Sequence, residues 1–316
     1  MGLQMRVLDV VAVGSWSNFD HLFRVDRLPA PGDTVQITSS IQSVEKVYWG
    51  GCAPNNAAAA ARLGAAAGLV SVVGRDFRGR GYQAYFEGLG VNLRGTILLE
   101  EELSGHSFLF SDPNGDAICI SHIGAAARQG EHLPDEEILS TAKVVTINYI
   151  FDSFTLRAAQ IASNAGGSVI TSGALMTAPD FAKAIVESSH ILVCTEHELH
   201  QLCELLGLPS RTMLFDHGMR ALVATLGKRG SLLLTPDGEV HIPVAQANRI
   251  VDPVGAGDGF VGGLATGLAF GYPLQIAVKL GAAVASFVVE EQGCQTNLPS
   301  FEQAAQRMRA SFGISL

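Results

Sequence analysis

From residue 144 onward, short apolar segments alternate regularly with helical stretches, and this rhythm constrains the fold more than any other feature of the sequence. Each segment has the length of a buried strand, and the clearest ones lie at 144–147, 169–171, 191–193 and 221–225. Strands that alternate with helices form right-handed βαβ units, which build a parallel sheet with helices on both faces. The sequence therefore predicts an α/β fold with a mostly parallel central sheet.

The N-terminal part of the chain has a different pattern. Residues 21–28 and 34–49 alternate polar and apolar side chains, which is typical of exposed antiparallel strands. A second alternating region, 104–123, contains Asn114-Gly115 and reads as a hairpin with its turn at 112–116. These segments predict a small sheet off the main body, a lid formed within about 20–49 and 104–123 of a single domain that covers residues 1–316.

Composition and charge exclude several classes of partner. The 316 residues include 21 basic and 30 acidic side chains, a net charge of -9 that repels nucleic acid and anionic membranes. No apolar run approaches the roughly 18 residues needed to span a bilayer. The five cysteines are odd in number and form no CxxC pair, as expected for reduced thiols. We expect a cytoplasmic protein whose partners are small molecules.

Several well-known motifs are absent. The sequence contains no P-loop and no G-x-S-x-G, and Gly255-Ala256-Gly257 lacks the third glycine of a dinucleotide fingerprint. His197 and His200 do not form an HExxH zinc motif, because Gln201 stands where that motif needs histidine. P-loop proteins, dehydrogenases, serine hydrolases and zinc proteases of these types are therefore disfavoured.

The stretch 252–260 reads Asp-Pro-Val-Gly-Ala-Gly-Asp-Gly-Phe and joins a strand-like segment to a helical one. A helix start offers unpaired N–H groups and a positive dipole end, and glycines let an anion approach them. Asp258 would repel such an anion unless it has a role there, such as a general base that deprotonates an attacking hydroxyl. Alternatively, Asp258 only caps a helix and the glycines make a tight turn. The stretch alone leaves both interpretations open.

Two further motifs precede this stretch. Gly14-Ser15, followed by Asn18 and Asp20, comes after the apolar run 7–13, which reads as the first strand of the chain. The second motif, Gly-Gly-Cys-Ala-Pro-Asn at 50–55, comes before an alanine-rich run that predicts a helix with asparagine as its cap. Together the three motifs closely resemble the ribokinase-like (PfkB-type) sugar and nucleoside kinases over essentially the whole chain. The resemblance implies a three-layer α/β/α fold with a β-sheet lid and ATP-dependent phosphoryl transfer.

The resemblance also implies roles for individual residues. Asp258 would be the base, and the N–H groups of Gly255, Ala256 and Gly257 would form the anion hole for the γ-phosphate. The residues implied to hold substrate hydroxyls are Asn18, Asp20, Gly50, Gly51 and Asn55. Those implied to contact the nucleotide are Thr195, Thr225, Gly227 and Gly230.

The expected cofactors are ATP, Mg²⁺ and K⁺. Glu198 would act on the Mg²⁺ that accompanies ATP, through water, because Mg²⁺ retains much of its hydration. Asp252, with backbone carbonyls near Val254 and Gly293, resembles the monovalent-cation loop of the family, a potassium site in several members. Exposed lid strands also allow a homodimer through their edges.

The sequence departs from the family pattern at three places. Thr195 stands where asparagine is usual, the segment 14–20 has one extra residue before Asn18, and the substrate-binding glutamate of ribokinases is missing from 146–149. The sequence resembles the nucleoside and adenosine kinases of the family in three features. These are the missing glutamate, the Gly-Gly-Cys-Ala motif and the ending 291–296.

Six aromatic residues in and near the lid bear on the substrate. They either offer flat walls for a purine or fill the thin core of the lid itself, and they are Trp16, Phe19, Phe23, Trp49, Phe108 and Phe110. We therefore predict a kinase for a primary hydroxyl of an adenosine-like nucleoside. The alternatives are a sugar kinase of the ribokinase or fructokinase type and a non-catalytic ligand-binding homologue.

Overall fold

The computed structural model describes residues 7–114 and 116–316, which form two β-sheets and the helices around them. The strands are β1 (Val10–Val13), β2 (Ser17–Arg24), β3 (Val47–Trp49), β4 (Ala67–Gly74), β5 (Thr96–Leu99), β6 (Gly105–Ser111), β7 (Ala117–His122), β8 (Val144–Ile147), β9 (Ser168–Ser172), β10 (Ile191–Thr195), β11 (Ala221–Thr225), β12 (Ser231–Thr235) and β13 (Gly238–Ile242). The α-helices are α1 (Ile41–Glu45), α2 (Cys52–Arg62), α3 (Asp76–Gly79), α4 (Tyr82–Gly88), α5 (Glu136–Thr141), α6 (Ser153–Asn164), α7 (Pro179–Glu187), α8 (Glu196–Leu205), α9 (Ala256–Ala269), α10 (Leu274–Val288) and α11 (Phe301–Phe312). Short 3₁₀ helices lie at Gly124–Glu131, Leu175–Thr177, Arg211–His217 and Gly227–Arg229.

The large sheet has the strand order β13-β12-β11-β10-β9-β8-β1-β4-β5. All pairs from β11 to β5 are parallel, and β12 and β13 add an antiparallel edge. Strand β1 is fully buried because helices cover both faces of the sheet. The predicted mostly parallel sheet is confirmed, and each of the four predicted apolar segments lies in a parallel strand of it.

Two hydrophobic cores separate the layers. One core packs α2, α4, α9, α10 and α11 against one face of the large sheet, and the other packs α5, α6, α7 and α8 against the opposite face. This arrangement confirms the predicted three layers.

The small sheet has the order β3-β2-β6-β7 and uses the segments in which it was predicted. Strands β2 and β6 are parallel, however, so the expectation of purely antiparallel strands is wrong. Each of them follows a parallel strand of the large sheet, β1 or β5, and therefore leaves the core in the same direction. Part of the predicted strand 34–49 is helix α1, whose first turn is capped by Ser40 through a bond from Ser43 N.

Strands β6 and β7 form the predicted hairpin. The Asp112 carboxylate accepts bonds from the N–H groups of Asn114 (2.9 Å) and Asp116 (3.0 Å), while Gly115 lies outside the described residues. Across 7–114 and 116–316, no helix is both long and apolar enough to cross a bilayer.

Candidate active site

The predicted site residues lie mainly where parallel strands end and helices begin. Asn18 and Asp20 follow β1, Thr195 and Thr225 end β10 and β11, and Gly255 precedes α9. Open α/β sheets place ligands at this carboxyl edge. The small sheet contributes Asp20 from β2, so the two sheets meet at the site.

Gly255 is the N-cap of helix α9, and its φ of 81° is in the left-handed region that favours glycine. A β-carbon at Gly255 would also collide with the side chain of Cys294. The N–H groups of Gly255 and Gly257 donate to no acceptor in the described part of the chain, whereas Ala256 N–H donates to Pro253 O at 3.2 Å. Two of the three predicted anion-hole donors are therefore unpaired at the start of a helix.

Asp258 lies in the first turn of α9 and faces helix α2. Its Oδ2 accepts from Asn55 Nδ2 at 2.8 Å, and its backbone carbonyl accepts from Asn56 Nδ2 at 2.9 Å. Removal from water raises the pKa of the Asp258 carboxyl, while bonds from Asn55 and Cys52 oppose the rise. Because its side chain bonds to Asn55 and Cys52 of α2, the Asp258 carboxylate does not act as a simple cap of α9.

Helix α2 begins at Cys52 with Gly51 as its N-cap, so the predicted asparagine cap is wrong. Asn55 and Asn56 lie inside the first turns of the helix, and their amides are free to bond Asp258. The cysteine between the glycines and Asn55 was not predicted as a site residue. Burial raises the pKa of the Cys52 thiol, with nearby Asp258 adding to the shift, so Cys52 remains a protonated donor.

Asp20 lies against Gly50 and Cys294. A β-carbon at Gly50 would overlap the Asp20 carboxylate, so only glycine permits this approach. Cys294 Sγ donates to Asp20 Oδ2 at 3.6 Å. The structure thus brings together the start of β2, the glycine pair and the segment near 294.

Asn18 forms a β-bulge, because the β2–β6 register shifts between Ser17 and Phe19. This bulge accommodates the extra residue in 14–20. The Asn18 amide is 1% exposed, and neither its nitrogen nor its oxygen has a partner in the described residues. Its carbonyl accepts from Gly50 N at 3.0 Å, which places Asn18 beside the glycine pair. A buried, unsatisfied amide at this position fits a ligand contact.

Thr195 and Thr225 are paired in register at the ends of β10 and β11. Thr195 also caps α8, because Glu198 N donates to Thr195 Oγ1 (3.1 Å) and Thr195 N donates to Glu198 Oε2 (2.7 Å). Thr195 thus supplies the N-cap of α8. Gly227 and Gly230 lie in the 3₁₀ turn that follows β11.

The predicted cation loop joins two segments of the chain. Val254 N donates to Asp252 Oδ1 at 3.0 Å, and the close packing of Gly255 on Cys294 brings this segment to the one that contains Gly293. No cluster of three or more His, Cys, Asp or Glu side chains suited to a metal occurs in residues 7–114 and 116–316. A cation here would therefore depend on Asp252 and backbone carbonyls.

Most of the aromatic residues do not line the site. Phe19 is 1% exposed and packs on Tyr82, and Phe23 stacks on Phe110. Strand alternation places Phe19 and Phe23 on the face of β2 opposite to Asp20. Phe19, Phe23 and Phe110 therefore fill the small sheet and its junction with α4, as the second interpretation expects for them.

Trp16, one of the six predicted aromatic residues, pairs with Tyr149, which was not predicted as a site residue. Trp16 and Tyr149 have ring centroids 5.7 Å apart. Burial raises the pKa of the Tyr149 phenol, and the charges of Glu198 and Asp258 add to the rise. Tyr149 follows β8 at the carboxyl edge of the sheet. This position after a predicted strand is the sequence feature that could have identified Tyr149 as a site residue. Its neighbour Asn148 is fully buried and bonds Val13 and Ser172 instead of a ligand.

Comparison with known proteins decides the family. The family described as pfkB family carbohydrate kinase matches residues 8–300. The chain belongs to this family. The predicted family, fold and enzyme class, a phosphotransferase with a hydroxyl acceptor, are thereby confirmed.

Individual PfkB-family proteins resemble the chain along nearly its whole length. The nucleoside kinase of Methanocaldococcus jannaschii is 32% identical over 293 residues, 92% of this chain and 93% of its own. The crystal structure of that kinase, described as an archaeal member of the ribokinase family, has a TM-score of 0.85 at 30% identity and covers 96% of this chain and 99% of its own. The ribokinase of Mus musculus is 29% identical over 304 residues, 92% of this chain and 91% of its own.

A more distant structure shares the fold. The nucleoside kinase of Burkholderia thailandensis, in complex with inosine, has a TM-score of 0.84 at 22% identity and covers 97% of this chain and 98% of its own.

Proposed function

We propose that this PfkB-family protein transfers the γ-phosphate of ATP to a primary hydroxyl of a nucleoside, adenosine-like in character. The observation that carries the proposal is the position of Asp258, whose carboxylate lies in the first turn of α9 beside the unpaired N–H groups of Gly255 and Gly257. A base next to donors for a transferring phosphoryl group is the arrangement that this reaction needs.

In this proposal each side chain has a defined task. Asp258 takes the proton from the acceptor hydroxyl, and its raised pKa makes it a stronger base than an exposed aspartate. The N–H groups of Gly255, Ala256 and Gly257 stabilise the charge on the phosphoryl oxygens. Acceptor hydroxyls bind to Asn18, Asp20, Asn55 and the backbone of Gly50 and Gly51. The unsatisfied amide of Asn18 supports this last assignment.

The nucleotide binds on the other side of Asp258, at Thr195, Thr225, Gly227 and Gly230. Mg²⁺ bound to ATP neutralises phosphate charge, and Glu198 fits a water-mediated contact because its capping bond uses only Oε2. K⁺ is proposed at Asp252 and the carbonyls near Val254 and Gly293, since oxygen ligands suit such a cation.

A nucleoside is favoured over a free sugar by the 32% identity to the archaeal nucleoside kinase. Trp16 and Tyr149, whose ring centroids lie 5.7 Å apart at an interplanar angle of 57°, offer aromatic faces for a base at the carboxyl edge of the sheet. The non-catalytic alternative is disfavoured because Asp258 is present beside the unpaired N–H groups of Gly255 and Gly257.

Release of ADP, measured with Mg²⁺ and K⁺, tests the proposal. The acceptors are adenosine, guanosine, inosine, cytidine, ribose and fructose. We expect the highest kcat/KM with adenosine or a related nucleoside. A maximum with ribose or fructose would establish the sugar kinase instead, and tight nucleoside binding without ADP release would establish the non-catalytic homologue.

Three wider expectations belong to the same proposal. Residues 1–316 act as one domain, the small sheet closes over the acceptor as a lid that excludes water, and lid edges can pair two subunits in the cytoplasm. Hydrogen exchange tests closure: the β2 and β6 amides should gain protection with acceptor and a non-hydrolysable ATP analogue. Unchanged exchange would contradict closure.

A further inference from the structure

A chain of hydrogen bonds runs from Asp258 into the protein interior. Asn55 Nδ2 donates to Asp258 Oδ2 (2.8 Å), and Asn55 Oδ1 accepts from Gln295 Nε2 (2.7 Å). The same Gln295 nitrogen donates to the Tyr82 hydroxyl (2.5 Å), which donates to Gly50 O (2.9 Å). Three side chains, those of Asn55, Gln295 and Tyr82, thus connect the proposed base to the glycine pair.

The two ends of this chain fix its direction. An ionised carboxylate and a backbone carbonyl can only accept hydrogen bonds. Asn55 must therefore turn its nitrogen towards Asp258 and its oxygen towards Gln295. Gln295 must in turn donate both of its amide hydrogens, one to Asn55 and one to Tyr82. A flipped Asn55 amide would place its oxygen against the Asp258 carboxylate, so Gln295 holds the productive orientation.

Burial makes the arrangement difficult to replace with water. Tyr82 is fully buried, and Asn55 and Gln295 are 2% and 8% exposed. Hydrogen bonds in such surroundings are electrostatically stronger than in water, and a lost partner leaves an uncompensated polar group. Burial also raises the pKa of the Tyr82 phenol well above its ordinary value, so the hydroxyl remains a donor.

We propose that Gln295 and Tyr82 are positioning residues for phosphoryl transfer: they fix the Asn55 amide, and Asn55 holds the Asp258 carboxylate in its reactive orientation. This inference rests on the proposed function, in which Asp258 is the base. Neither residue touches the reacting atoms.

The same series of hydrogen bonds links Asp258 to the small sheet through Tyr82. The Tyr82 ring stacks on Trp49 of β3 at 5.5 Å and meets Phe19 of β2 edge-on at 5.9 Å. Its hydroxyl binds Gly50, the residue that packs against the Asp20 carboxylate. A shift of β3 therefore changes both the acceptor contacts at Asp20 and the hydrogen bonds that orient Asp258.

Two variants interrupt the chain with little change in shape. Tyr82→Phe removes only the hydroxyl, and Gln295→Met keeps the side-chain length while it removes both donors. We expect each to lower kcat roughly 10-fold, with less than about a twofold change in the acceptor KM. The acid limb of the kcat/KM profile should move to higher pH, because the Asn55 bond that lowers the pKa of Asp258 is no longer held.

Tyr85→Phe is the matched control. Tyr85 lies on the same helix and packs on the same Trp49, with centroids 4.4 Å apart, but its hydroxyl makes no hydrogen bond to the described residues. We expect its kcat and pH profile to remain at wild-type values.

The outcomes separate this inference from the proposed function. If Asp258→Asn is inactive while Tyr82→Phe and Gln295→Met keep the wild-type pH profile, the positioning role is wrong and the proposed function stands. A fall in kcat without a shift of the acid limb also overturns it, because packing alone explains that result. If Asp258→Asn retains wild-type turnover, the proposed function fails first.

Discussion

The amide of Asn55 donates to the carboxylate of Asp258 across 2.8 Å, although 203 positions separate the two residues in the sequence. Asn56 adds a bond to the backbone of Asp258, so helices α2 and α9 are joined at their first turns. A residue proposed to bind the acceptor is therefore bonded to the proposed base.

Replacement of Asp258 by asparagine should lower kcat by about 10² to 10⁴-fold, the usual contribution of a positioned general base. The amide keeps the size of the side chain but cannot take a proton, so the acceptor KM should change little. Steady-state ADP release measures both constants. Asp237→Asn, which alters an exposed carboxylate between β12 and β13, is the control and should behave as wild type. Equal turnover in the two variants would exclude Asp258 as the base.

Replacement of Gly50 by alanine should raise the acceptor KM about 10-fold or more, because the new β-carbon displaces the Asp20 carboxylate from its hydroxyl partner. The displaced group is the end of a side chain, so the loss should fall on binding rather than on folding. Gly79→Ala provides the control, since a β-carbon there meets no atom within 4 Å. An unchanged KM in Gly50→Ala would remove Asp20 from the acceptor site.

Replacement of Thr195 by alanine should lower the free energy of unfolding by about 1 kcal/mol, the usual cost of a lost N-cap. Thr195→Asn should retain most of that stability, because asparagine caps helices as well as threonine does. Urea unfolding measures the difference. If alanine and asparagine destabilise equally, the capping box with Glu198 does not explain the residue at this position.

The sequence was most informative where side chains are buried on both faces of the large sheet. Strands β8 and β11 have the predicted bounds, since continuous apolar runs between turns leave little freedom. The glycine turn at Gly255 was equally clear, because a positive φ and a close neighbour both demand glycine.

Exposed segments and long-range contacts were less predictable. Alternation in 34–49 indicated strand, but a local serine cap at Ser40 favoured helix α1. The aromatic residues of the small sheet gave no sign of which face they occupy, because that depends on pairing with distant β6. Gln295 carried no local signal of its contact with Asn55 and Tyr82, since only the folded chain brings the three together.

Stability should decrease as the pH falls below about 6.5, and His21 is the cause. Its Nε2 lies 3.0 Å from His106 Nδ1, and His106 Nε2 lies 2.9 Å from the Asp76 carboxylate. Burial lowers the pKa of His21, and His106 and Arg80 lower it further. The unfolded chain therefore takes up a proton at His21 before the folded protein does, which favours unfolding as the pH falls.

Asp76 does not contribute in this range. Burial alone would raise the pKa of Asp76, but bonds from Ser104 and His106 outweigh that effect and hold the pKa below its ordinary value, so the stabilising charge persists to lower pH. We expect His21→Gln to flatten the decline in the free energy of unfolding between about pH 7.5 and about pH 5.5, measured by urea titration. His200→Gln, at a side chain that is 71% exposed, should leave the decline unchanged. Parallel curves for wild type and His21→Gln would show that His21 does not titrate between the folded and unfolded states in this range.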